Sequence, residues 1–351
     1  MLQIQNGVQI ATDDYYIQHK ENGLDELHFD LPVSDPVYGA ICEETRILET
    51  TEQQTYAVKT INGGKRTARI TCQLDLSDWE QTICLNYDRQ GTAKAILQGV
   101  TTDFSGDSSA LNRWRMIDAS ERTESRTIKL QGPTPLEIAT QLQDSFDCAI
   151  RFDTHNRTAI ILWRDEMPLS NSYAVDTVNL RSAPEFKGRS SGLYTRLYPV
   201  GKDGLRIGSI NGGLDYVQNM TYTDRVICAF WQDSRYSNPT ELRDDAQKRV
   251  DKAAQPERSW NLSIIDLYRL NPQKWQDMSL SLFTVLRLVD RNKGFTANVQ
   301  VREDKVFPYY PEKNEILVST VTQSVQRTLH GLYNDINNPN SAFWQKIIAR
   351  G

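Results

Sequence analysis

The chain has 351 residues, which at about 150 residues per domain allows two or three domains with cores of their own. Forty Lys and Arg against forty-five Asp and Glu leave a net charge of −5, with no block of one sign, so the basic footprint of a nucleic-acid-binding protein is missing. The longest apolar runs, such as Ala159 to Trp163, fall far short of the roughly 18 residues of a membrane span, and the start lacks the basic-then-apolar layout of a signal peptide. A soluble, non-secreted chain with no membrane span is expected.

In the first 103 residues apolar and polar positions alternate, in Glu26-Leu27-His28-Phe29-Asp30-Leu31 and again in Tyr56-Ala57-Val58-Lys59-Thr60-Ile61, and this period of two predicts half-buried strands. Asn62-Gly63-Gly64-Lys65 supplies the positive φ angles of a tight turn, so the second run pairs as a hairpin with Thr67 to Cys72. Further strands are predicted at Leu2 to Ile10, Gln81 to Tyr87 and Ala93 to Gly99. Together they suffice for a small antiparallel barrel or sandwich.

Arg126 to Leu130 reads as a strand, followed by a helix from Thr134 to about Ser145. Thr134 is the cap, Pro135 occupies the first turn, Glu137 completes a capping box, and Leu136, Ala139, Leu142 and Phe146 recur at helical spacing. Two strands follow, Cys148 to Phe152 and Thr158 to Trp163, giving a compact α+β unit. Beyond Phe186, Tyr194 to Val200 and Leu205 to Ile207 are predicted to form a hairpin bracketed by Gly201 and Gly204. A second capped helix starts at Asn238-Pro239-Thr240-Glu241, carries Leu242, Ala246 and Val250, and is stopped by Pro256. Trp260 to Val318 is strand-rich with a turn at 290–294, and Val318 to Leu329 is predicted to be a final short helix.

Chemistry-bearing patterns are sparse. Cys42, Cys72, Cys84, Cys148 and Cys228 are odd in number and widely spaced, which weighs against disulfides and zinc. His19, His28, His155 and His330 stand singly and read as surface or strand histidines. Gly188-Arg189-Ser190-Ser191-Gly192 has the letters of a serine-hydrolase elbow without the strand-to-helix context the elbow needs. Asp75, Asp78 and Glu80 cluster around Trp79 as a carboxylate pair for glycosidic hydrolysis would, or as a solvated turn with Trp79 packed beneath it. Gly201, Gly204, Gly208, Gly212 and Gly213 lack phosphate-loop spacing and read as turns. The residues therefore nominate no catalytic, cofactor-binding or metal-binding position, and no cofactor.

One stretch carries a resemblance. Leu197 to Leu205, Asn211-Gly212-Gly213 with Asp215-Tyr216-Val217, and Trp231 to Tyr236 resemble the phage tail-associated, or prophage endopeptidase tail, family. The helix from Asn238 to Ala254, Ile264 to Leu267, and the opening strands around Asp25 to Val33 and Gln53 to Lys59 continue the family's order. The resemblance implies a mainly β fold with α+β insertions, in which two small antiparallel β-barrels form a baseplate hub or tail tip. The expected division is a first hub barrel at 1–103, an α+β domain at 104–186, a second barrel from 187–222 and 262–320, a helical insertion at 223–261 and a helical tail at 321–351.

The same resemblance implies a homotrimer at the distal end of a virion tail, made in the host cytoplasm. Its partners would be the distal tail protein ring, the tape-measure protein and fibre or receptor-binding proteins, with genomic DNA passing through a channel without stable binding. Lytic members bear a separate C-terminal module, and Gln276-Asp277 replaces the family's more usual Gly-Asp, so the endopeptidase label does not carry over. Phe343, Trp344, Ile347 and Ile348 in the last stretch are expected to pack on a neighbour. The rival readings are a peptidoglycan-degrading tail enzyme using the Asp75, Asp78, Glu80 cluster or Ser190, and a host-receptor or carbohydrate-binding module using exposed Trp and Tyr.

Overall fold

A computed structural model describes residues 1–320 except 22, 105–109, 121, 164–165, 168, 176–177, 183–184, 190–191, 235, 277, 279 and 292–293. Ser190, most of the expected helix at 318–329 and the amphipathic stretch at 335–351 lie outside these residues. The described chain is mainly β with few helices and divides into two compact units, 1–184 with 261–318 and 185–260 with 319–320.

The first unit opens with β1 (Leu2–Ile4), β2 (Gln9–Ile10), β3 (Tyr15–Lys20), β4 (Glu26–Pro32), β5 (Arg46–Glu49), β6 (Gln54–Gly63) and β7 (Thr67–Leu74). Alternation drives them: Leu27, Phe29 and Leu31 of β4 are buried while Glu26, His28 and Asp30 are not. Each such apolar side chain contributes about 1.5–3 kcal/mol on burial. The predicted pairing is β6 with β7, and its register runs from Tyr56↔Leu74 to Gly63↔Ala68 with one irregularity between Val58 and Thr60. The turn is not the one expected: Asn62 and Gly63 still pair in β6, neither Gly63 nor Gly64 has a positive φ, and the reversal falls at 64–66, closed by Gly64 N to Thr67 O at 3.0 Å. The expected strand over Leu2 to Ile10 is two short strands, β1 and β2, folded back by a turn in which Gly7 has φ 90°.

Next come α1 (Ser77–Glu80), β8 (Asn86–Gly91), α2 (Ala93–Asp103), β9 (Arg115–Asp118), β10 (Arg126–Gln131), α3 (Pro135–Phe146), β11 (Cys148–Asp153), β12 (Thr158–Trp163) and β13 (Leu169–Val175). The predicted capping box of α3 is present: Glu137 N donates to Thr134 Oγ1 at 3.2 Å and Thr134 N to Glu137 Oε2 at 2.8 Å. Asp147 ends the helix in the left-handed region at φ 53°. Two expectations are corrected. Ala93 to Gly99 is helix, because Thr92 accepts from Ala95 N and Ile96, Leu97 and Val100 bury one helical face. Most of Gln81 to Tyr87 is not strand, and pairing starts only at Asn86 opposite Gln131.

The second unit holds β14 (Glu185–Arg189), β15 (Arg196–Val200), β16 (Val217–Gln218), β17 (Cys228–Gln232), α4 (Pro239–Ala253) and the start of β18 (Glu257–Ser263). β15 is central, antiparallel to β16 and parallel to β17, and Leu197, Ile207, Val217 and Tyr236 form a core with Leu242, Ala246 and Val250 of α4. The expected hairpin between residues 200 and 205 is absent. Gly201 N bonds Leu205 O and Lys202 N bonds Tyr236 O, so the chain makes short helical turns and Ile207 enters the core instead of a strand.

The chain then returns to the first unit through α5 (Leu267–Leu270), β19 (Val285–Asp290), β20 (Phe295–Val306) and β21 (Glu315–Thr320). Here one continuous sheet runs β21-β20-β3-β4-β7-β6-β5-β1-β2, with β13 and β19 branching from β20. Two closed barrels were expected, but among the described residues no pairing closes this path into a ring. The reason is the β3–β20 ladder, which joins the first strands to the last edge to edge and so continues the sheet.

Candidate functional site

The richest polar constellation lies at that junction. β3 turns Tyr15, Ile17 and His19 inward, and its register sets His19 opposite Asp304 of β20. His19 is 4% exposed and Asp304 2%. The imidazole is held on both sides, Nδ1 by Asp304 Oδ1 and Nε2 by Glu52 Oε2 at 3.0 Å, with Asp25 Oδ2 at 4.0 Å. Arg269 Nη2 reaches Glu52 at 3.2 Å and Arg151 Nη2 lies 3.7 Å from Asp25.

Burial alone would strip the proton from His19, but the charges of Asp304 and Asp25 and the hydrogen bonds to Asp304 and Glu52 prevail and raise its pKa well above the ordinary value. Burial likewise opposes ionisation of Glu52, yet His19 and Arg269 hold its carboxyl down to about 2. For Asp25 burial wins, pushing the carboxyl up against the pull of His19 and Arg151. An imidazolium thus donates one N–H to each half of the junction. With both donors committed and almost no exposure, it fastens strands and has no free nitrogen for proton transfer to a substrate.

Flanking contacts repeat the pattern. Arg302 pairs with Glu21, Gln18 with Glu303, Lys313 Nζ lies 3.1 Å from Asp14, and Tyr310 Oη donates to Asp13 at 2.9 Å. The N-terminal ammonium reaches Tyr309 Oη at 2.7 Å and Tyr15 Oη at 3.0 Å, while Tyr15 donates to the buried Glu49 at 2.6 Å. Beside the junction a small open recess is lined by Lys20, Asp25, Arg151, Phe152, Leu282 and Phe283. Phe283 is buried at φ 68°, a left-handed conformation that costs a bulky residue about 1–2 kcal/mol.

The sequence candidates fall elsewhere. Asp75 binds Arg46 Nε at 2.8 Å and accepts from Ser77 N, Asp78 accepts from Trp114 Nε1 at 3.0 Å, Glu80 is exposed at the end of α1, and Trp79 is fully buried against Trp114 and Phe152. His28 stacks on Tyr16 and lies 3.1 Å from Glu26, His155 is exposed in a turn, and His330 lies outside the described residues. Gly204, Gly212 and Gly213 adopt positive φ in turns, and Asp215 accepts from Gly208 N at 3.1 Å. His19, read as an ordinary strand or surface histidine, is instead the centre of the junction. Its signal was its place in the Tyr15, Ile17, His19 alternation. Among the described residues no His, Cys, Asp and Glu side chains group so as to hold a metal ion, and no helix is long and apolar enough to cross a membrane.

Residues 182–329 match the family described as prophage endopeptidase tail. The resemblance to phage tail proteins holds. The fold is shared along nearly the whole chain with a tail protein from Neisseria meningitidis MC58, with TM-score 0.65 and 8% identity over 91% of this chain and 94% of that one. A 43 kDa tail protein of prophage MuSo2 from Shewanella oneidensis gives TM-score 0.63 and 12% identity over 91% and 97% of the two chains. Prophage tail protein gp18 from Listeria monocytogenes EGD-e gives 0.60 and 14% over 93% and 94%. No curated protein sequence matches significantly.

Proposed function

We propose that the chain is a structural baseplate-hub or tail-tip protein of a phage or phage-like tail. Three copies would form a ring that connects the tail tube and distal tail ring to the tip, at the distal end of the virion tail. The observation that carries this reading is the family match at 182–329 joined to a fold shared with tail proteins over more than nine-tenths of the chain. The likeness supports a tail component; the ring, its position and its neighbours are the proposal.

The reading is non-enzymatic. Of the carboxylates a hydrolase would use, Asp75 and Asp78 are bound to Arg46, Ser77 and Trp114 while Glu80 is exposed, and the buried His19 cluster fastens strands. The partners proposed are the distal tail protein ring, the tape-measure protein and fibre or receptor-binding proteins, around a channel that genomic DNA traverses without stable binding. Negative-stain imaging of the purified chain, with its solution mass, tests the ring. Particles with three-fold symmetry and a central hole are expected, and a zymogram cleared by the purified protein would contradict the non-enzymatic reading.

A further inference from the structure

Among the described residues the second unit carries a strand edge without a partner, and the segment is complementary to itself. β17 ends the sheet β16-β15-β17. Ile227 O accepts from Arg196 N at 3.0 Å, and Asp233 N donates to Val200 O at 2.8 Å. In the parallel register from Arg196↔Cys228 to Val200↔Gln232, the odd-numbered residues therefore bond to β15. The N–H and C=O groups of Cys228, Phe230 and Gln232 point outward, and no described residue pairs with them.

Side chains alternate in step. Val226 (48%), Cys228, Phe230 (66%) and Gln232 are exposed, while Ile227, Ala229 and Trp231 are half-buried on the side of α4, which packs over β15 and β16. The run Val226-Ile227-Cys228-Ala229-Phe230-Trp231-Gln232 has no charge, proline or glycine. Folded proteins blunt exposed edges with lysine, proline or bulges, and an unprotected apolar edge is a pairing template.

The flanks say what pairs with it. Arg225 precedes the run and Asp233 follows it. An antiparallel pairing with an identical segment, centred on Ala229, sets Cys228 opposite Phe230 and Val226 opposite Gln232, so that the outward groups of residues 228 and 230 meet as hydrogen-bonded pairs. The same register sets Arg225 opposite Asp233 at both ends. We propose that β17 pairs antiparallel with β17 of a second copy, joining two three-stranded sheets into one of six strands. The contact is two-fold and self-complementary.

Such a contact makes particles of even copy number: dimers, or six chains where a three-fold ring also forms. The two proposals thus fail separately, since a three-chain particle keeps the ring and overturns the edge pairing. The test uses the full chain. Light scattering should give an even number of copies, and Phe230→Lys, at an exposed position, should halve that number with an unchanged circular dichroism spectrum. Phe230→Cys should form a disulfide with Cys228 of the other copy under mild oxidation, since Cα atoms of a hydrogen-bonded pair lie about 5.5 Å apart. Arg225→Asp should weaken the pair, and adding Asp233→Arg should restore it. A monomer or trimer whose 228, 230 and 232 amides exchange rapidly overturns the inference. So does protection of those amides that appears only when another tail protein is added.

Discussion

His19 and Asp304, 285 residues apart in the chain, face each other in register across β3 and β20, and their side chains are in direct contact in the core. This one pair ties the first strands of the chain to the last. The cost of breaking it follows from its burial. Asp304→Asn or His19→Leu leaves the other partner uncompensated and should lower the stability of the first unit by about 3–5 kcal/mol. Replacing both with leucine should cost less than the two single changes added together. Urea unfolding of the four proteins checks this.

The same cluster sets a pH dependence with a definite sign. His19 has a raised pKa when folded, so its contribution is complete below the unfolded value near 6.5 and is lost as pH rises through the folded one. Glu52 is depressed to about 2, so its contribution is present above its unfolded 4.5 and is lost as pH falls through about 2. Asp25, raised by burial, works against Glu52 in the acid range, since it loses stability as pH rises past its unfolded 3.8. Thermal melts from neutral to alkaline pH should fall for the wild type and fall less for His19→Leu.

Tyr56 tests the other side of the same core. Its side chain is fully buried, and its hydroxyl has no hydrogen-bond partner among the described residues. Removing an unsatisfied buried hydroxyl while keeping the ring is close to neutral or stabilising. Tyr56→Phe should therefore melt at or above the wild-type temperature, the reverse of most core substitutions.

Phe283 separates strain from packing. Both Phe283→Ala and Phe283→Gly delete a ring that is 2% exposed, so both should destabilise by about 3–5 kcal/mol. Glycine alone also relieves the positive φ, and Phe283→Gly should be the more stable of the two by about 1 kcal/mol. Paired denaturant curves decide it.

What was legible in the sequence was local. The β6–β7 pairing, the Thr134 capping box and the helix after Asn238 each follow from a few adjacent residues, although the positive φ expected at Asn62-Gly63 does not occur because both residues pair within β6. α2 stands where the sequence predicts a strand over Ala93 to Gly99. Within the helix Gly99 makes room for Arg89, whose guanidinium occupies the space a Cβ would fill, and the buried helical face continues to Val100. The junction was hidden for a different reason. Nothing near His19 announces Asp304, and the pairing that joins them depends on a register between segments nearly a chain length apart. The same long-range ladder puts the first strands and β20 in one sheet, which no pairing among the described residues closes into a barrel.

The central claim is that this chain is a structural part of a phage or phage-like tail. The most direct measurement is immunogold labelling of purified particles with antibody to the chain, together with mass spectrometry of the same particles. The account predicts that the chain is present in the particle and that gold is confined to the distal end of the tail. Particles that lack the chain, or label distributed along the tail or on the head, would contradict it.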